Sequence, residues 1–175
     1  MTIAQRLDDA EFLWLAGRRE GAMLSALVAF AATARRALPD EKYDSVAFQR
    51  LFQEQLNSAW TITFRGKSTP LSLLFYKWLR CELVHQGTLP VELSFNDDDS
   101  GGLFDVALSG NYSISLSNVW YHSLVLAVLG HPANADIFPD QDAKVVALLE
   151  QHRLARQRVI GTVPRRKAGN PPPDC

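Results

Sequence analysis

The sequence predicts a mainly helical protein, an up-and-down bundle carrying a small antiparallel β insertion. Two observations carry that reading. Apolar residues recur at three- and four-residue steps over most of the chain, which is the spacing of one helix face. Strict alternation of apolar and polar residues is concentrated in a stretch at about 90–116, between turn-forming residues. At 175 residues and 47% hydrophobic content, the chain can bury one sizeable core. The expected organisation is a helical domain over 1–160 and a basic, proline-rich tail over 161–175.

At the N-terminus, Asp8 with Glu11 resembles a capping box, with Asp in place of Ser or Thr. One long helix is expected from about Asp9 to Leu38, stopped by Pro39. Phe12, Leu15, Ala16, Met23, Leu27, Phe30 and Ala34 make its apolar stripe. The other side carries Arg18, Ser25, Ala29, Arg35 and Arg36, and the many alanines permit close packing. The pairs Arg18–Arg19 and Arg35–Arg36 are either a basic edge or ordinary solvated charges.

Asp44 and Ser45 can cap a second helix whose stripe is Phe48, Leu51, Phe52 and Leu56. Trp60 to Phe64 alternates, as a short strand or an extended connector would, and Gly66 ends it. The next helix has clear ends. Thr69 is placed to cap it and Pro70 suits the first helical position. Gly87 and Pro90 stop it.

The insertion follows. Val91, Leu93 and Phe95 alternate, then Phe104, Val106 and Leu108, then Tyr112, Ile114 and Leu116, as in a two- or three-stranded meander. Asp97, Asp98 and Asp99 lack the ligand spacing of a calcium loop and read as an acidic turn. Ser117 can cap a helix over Asn118–Leu129, stopped by Gly130 and Pro132, with Trp120, Leu124, Ala127 and Val128 inward. Tyr121 and His122 either flank a cleft or pack at the helix start. A last helix begins near Asp140 and carries Val145, Leu148, Leu149, His152 and Ala155 on one face. Beyond it Arg153, Arg156, Arg158, Arg165, Arg166 and Lys167 make a nucleic-acid tether or a solubilising end.

The net charge of −1 gives no whole-molecule attraction to nucleic acid, so RNA binding needs a local basic patch. Two cysteines, Cys81 and Cys175, make no disulfide framework, and a reducing cytoplasm is the expected setting. The charged N-terminus lacks the apolar core of a signal peptide, and no apolar stretch is long enough to span a membrane. Phosphate-loop, dinucleotide-binding and nucleophile-elbow motifs are absent, and His and Cys do not sit at zinc spacings. No metal or cofactor is called for.

What remains is Arg80 and His85, late on the helix TPLSLLFYKWLRCELVHQG. At about 100° per residue, Leu73, Tyr76, Lys77 and Val84 gather near Arg80. Leu71, Leu74, Phe75 and Trp78 gather opposite, with His85 beside them. The helix is thus apolar on two faces, one for its own bundle and one for a partner or another segment. Arg80 and His85 lie about 140° apart on an ideal helix.

Arg80-x4-His85, late on a core helix of a helical bundle, resembles the R-x4–6-H motif of the HEPN superfamily. The phrase YKWLRCELVHQG is similar to the corresponding helix of bacterial HEPN-like proteins. Cys81 departs from the small polar residue often found after the arginine. The resemblance implies a homodimer whose two Arg–His pairs meet in one cleft and cleave RNA without metal. The RNA 2′-OH is then the nucleophile, His85 the proton-transfer group and Arg80 the stabiliser of phosphorane charge. Tyr76, Lys77, Arg18 and Arg19 are the candidate substrate-binding residues. The resemblance also implies a toxin or phage-defence setting, with an antitoxin or nucleotidyltransferase as possible partner. The alternative is a non-catalytic HEPN-like module that binds a nucleotide or a protein. Without the resemblance, Arg80 reads as a helix-end cap or an ion pair to Glu82, and His85 as a packed histidine against Trp78 and Leu74.

Overall fold

A computed structural model describes residues 2–56, 60–64, 66–86, 93–96, 106–108, 114–140 and 143–147. The acidic turn, most of the last helix and the basic tail lie outside these residues.

The chain is mainly helical, as the periodicity predicts. Its first helix differs from expectation. Instead of one helix from Asp9, two are present, α1 over Ile3–Leu15 and α2 over Arg19–Ala37. The cap is Thr2, not Asp8. Its hydroxyl accepts from the Gln5 N–H, and the Gln5 side chain accepts from the Thr2 N–H. The break falls at Gly17, whose φ of +73° is left-handed and stops α1. The corner swings Phe12 and Leu15 out of the expected stripe, to 71% and 76% exposure. The face of α1 that packs is Ile3, Leu7 and Ala10.

α2 is the central element, packed against α1, α3 (Asp44–Leu56), the motif helix and the helix α5 (Val119–Leu129). The middle of its expected polar side is therefore buried too, while Arg35 and Arg36 at its end stay exposed. Ser25 and Ala29 are covered along with Met23, Leu27, Phe30 and Ala34. Alanines at 22, 26, 29 and 34, all near zero exposure, let neighbouring helices approach closely. The Phe30, Phe48 and Phe52 rings from α2 and α3 meet edge to face or stacked, and Phe75 and Trp120 extend this aromatic centre.

The segment after α5 is fastened to α2 by polar contacts across about a hundred residues of sequence. Asn134 is fully buried and its Nδ2 donates to Thr33 Oγ1 and to the Val128 carbonyl, each at 2.9 Å. Thr33 donates in turn to the Ala29 carbonyl. Outside this buried knot, Arg36 donates to the Ala133 carbonyl at 2.9 Å and pairs with Asp136 at 2.6 Å. His131 caps the short 3₁₀ turn Pro132–Asn134 by accepting the Ala133 N–H at Nδ1.

Before the motif helix, β1 (Thr61–Phe64) and β2 (Lys67–Pro70) form an antiparallel hairpin. Gly66 supplies the positive φ its two-residue turn needs. Thr69 is therefore a strand residue paired with Ile62, not a helix cap, and Pro70 stands at the N-cap position. After the motif helix, β3 (Leu93–Asn96), β4 (Val106–Leu108) and β5 (Ile114–Ser117) form a three-stranded sheet. It is not a simple meander. β5 lies in the middle, antiparallel to β4 and parallel to β3. Ile114 and Leu116 of the central β5 are fully covered, and Leu93 of β3 is buried as well. No helix among the described residues is long and apolar enough to cross a membrane.

Candidate functional site

The motif helix, α4 over residues 71–86, is wound in three parts. An α-helical turn, Leu71–Leu74, leads into a π-helical segment, Phe75–Cys81, and an α-helical turn, Glu82–Gln86, closes it. At the end of the π segment the Glu82 N–H donates to the Lys77 carbonyl, five residues back. The apolar spacing favours this winding. Leu71, Phe75, Leu79 and Leu83 recur every four residues, and all are buried. On a helix of 3.6 residues per turn such a row drifts about 40° at each step. The wider winding keeps the row on one face.

The same widening acts on Arg80 and His85. The ideal 140° between them narrows only slightly, because just the steps from Arg80 to Glu82 belong to the wider helix and those on to His85 are α-helical. Arg80 is half-buried, and its guanidinium lies over the Tyr76 ring, 5.2 Å from the centroid. Its Nε is buried with no hydrogen-bond partner among the described residues. It forms no ion pair with Glu82. His85 is exposed, not packed against Trp78 and Leu74 as its predicted helical position suggests. Lys77 is exposed, and Tyr76 is half-buried beneath the Arg80 fork. Val84, beside His85, is an exposed apolar residue at 51%. The helix thus has one buried face and an outer face carrying Lys77, Val84 and His85. No hydrogen bond or ion pair joins Arg80 to His85 among the described residues of the single chain.

Arg18 and Arg19 belong elsewhere. They sit at the α1–α2 corner, on an open groove of about 970 Å³ whose other wall is Leu93, Ser94 and Phe95 of β3. None of Tyr76, Lys77, Arg80 or His85 lines it. Arg18 is exposed. Arg19 is committed to Trp14: its guanidinium lies 3.8 Å from the ring centroid and donates to the Trp14 carbonyl. On its other face Trp14 stacks on Tyr121 at 4.1 Å, and His122 meets both rings edge-on. So Tyr121 and His122 are packing residues of the helix start. Burial pushes the Tyr121 phenol up, the Glu11 carboxylate adds to the rise, and Arg19 opposes it.

The sequence offered no sign of the groove, because its walls come from residues some seventy positions apart. The four-residue row Leu71, Phe75, Leu79 and Leu83 is the signal from which the widened helix could have been read. Among the described residues, no group of three or more His, Cys, Asp or Glu side chains is placed to hold a metal ion.

A family model described as Rv1289 matches residues 2–161. No curated protein and no solved structure matches the chain.

Proposed function

The chain belongs to the Rv1289 family, and on the residues of its motif helix we propose that it is a metal-independent endoribonuclease acting through Arg80 and His85 of a homodimer. The observation that carries the reading is the π-helical segment around the motif. Such segments are rare, and they recur at functional sites because a uniform helix would be cheaper. Here the segment ends just after Arg80, whose Nε is buried with no hydrogen-bond partner among the described residues.

The chemistry follows from the groups. An exposed imidazole at a helix C-terminus can serve as a general acid or base. A guanidinium whose Nε has no acceptor among the described residues can turn its N–H groups to phosphate oxygens and meet the charge of the phosphorane. Lys77 adds charge on the outer face, and Tyr76 holds the Arg80 fork flat from below. Apposing two copies through the face around Val84 brings two such pairs together and covers an exposed valine.

A second reading is favoured by one contact. The Arg80 guanidinium already rests on Tyr76, an arrangement suited to holding a nucleotide or a protein carboxylate without cleaving anything.

The test is cleavage of single-stranded RNA in the presence of EDTA, with products carrying 2′,3′-cyclic phosphate ends. His85→Ala is expected to lower the rate about 10²- to 10⁴-fold while RNA binding persists. Arg80→Lys is expected to restore little over Arg80→Ala, because a point charge does not reproduce the fork. A folded, dimeric wild-type protein that leaves varied RNAs intact, with and without metal, removes the nuclease reading and leaves the binding module.

A further inference from the structure

The groove beside the α1–α2 corner lies outside the Arg80–His85 site. Its wall on the sheet side is three consecutive residues of β3, Leu93, Ser94 and Phe95. Side chains alternate along a strand, so three residues in a row can line one groove only if it runs along the strand's edge. β3 is an outer strand of the sheet: on one side it pairs with β5, and among the described residues nothing pairs with the other. The opposite wall is apolar, with Phe12, Leu13 and Ala16 from the end of α1. Phe12 stands 71% exposed there, a large apolar ring left to solvent. At the corner, Arg18 is exposed and makes no ion pair among the described residues.

We propose that this groove takes an extended peptide segment of a protein partner, added as a strand to the open edge of β3. The segment lays apolar side chains on Phe12 and Leu13 and sets one acidic group against Arg18. Main-chain hydrogen bonds to the strand edge supply affinity, and alternate side chains read the opposite wall. Glu20 also lines the groove, so a uniformly acidic segment fits worse than a mostly apolar one with a single carboxylate. The chain's own tail is a poor occupant on charge: Arg153, Arg156, Arg158, Arg165, Arg166 and Lys167 have the sign of Arg18.

A random heptapeptide library displayed on phage, selected against the full chain, tests this. Enriched peptides are expected to alternate apolar residues with at least one Asp or Glu. A labelled synthetic peptide from the selection should lose about tenfold or more in affinity on Phe12→Ala and on Arg18→Glu. Both residues are exposed, so circular dichroism should confirm that each variant folds. N-methylation of alternate amides in the peptide should abolish binding, and amide resonances of residues 93–95 should shift on addition of the unmodified peptide. Three results overturn the proposal: no enrichment, peptides that bind both variants as well as wild type, or oligouridylate rather than peptide shifting residues 93–95. Peptide binding seen only after removal of residues 161–175 also overturns it, in favour of the tail.

Discussion

Asn134 shows how much one buried amide can carry. Its Nδ2 is satisfied by Thr33 and the Val128 carbonyl, both at full burial or inside a helix end. Asn134→Ala removes both bonds and leaves the Val128 carbonyl short of a donor. It is expected to lower unfolding free energy by about 2–3 kcal/mol in urea titration. Three residues away, His131 holds its own turn only while Nδ1 is unprotonated, because that atom accepts the Ala133 N–H. Burial lowers the His131 pKa from its usual value, and the Glu54 carboxylate opposes the shift. The folded state thus binds this proton less readily than the unfolded state. Its stabilisation is present above about pH 6.5 and is lost as pH falls through the unfolded and then the folded pKa. The melting temperature is expected to fall on acidification from pH 7 to 5, and His131→Asn, which keeps an acceptor for the cap, should flatten that dependence.

At the scale of elements, glycine decides where the first helix ends. Gly17 has φ +73°, and a Cβ there would meet nothing within 4 Å. Gly17→Ala therefore costs only backbone strain, about 1–2 kcal/mol, and Gly17→Asn less, by thermal or urea unfolding. That corner also marks what the sequence concealed. Periodicity runs almost unbroken from α1 into α2, so Phe12 and Leu15 look like continuations of the Met23–Leu27–Phe30 stripe. A single glycine inside a helical pattern is usually tolerated, and only the left-handed φ turns it into a stop. The helices α3 and α5 were legible, because the residues of their expected stripes, Phe48, Leu51, Phe52, Trp120, Leu124 and Val128, are all covered. The motif helix was legible as a helix but not in its winding. Placing His85 beside Leu74 assumed 100° per residue throughout, and the π segment removes that assumption. The strand order of the insertion was hidden for another reason: alternation marks strands but carries no information about which neighbour each one chooses.

For the whole molecule, the proposed active unit is a pair of chains. Light scattering at tens of micromolar is expected to give the mass of a dimer. Val84→Glu, which puts a charge on an exposed residue beside His85, should shift the population toward monomer and lower RNA cleavage with it. A wild-type protein that is monomeric at that concentration ends the composite-site reading without touching the fold.

The middle position of β5 has a kinetic consequence. β4 and β5 are antiparallel and close in sequence and can pair early, whereas β3 must wait for β5, its one pairing partner among the described strands. The strand that forms one wall of the groove is thus the last to dock. By the same connectivity it is the first to leave in a partial opening, since its release breaks one ladder and spares the β4–β5 pair. Hydrogen exchange should find the amides of residues 93–96 exchanging by such local openings, at a lower free energy than those of α2, and a strand seated in the groove would slow them.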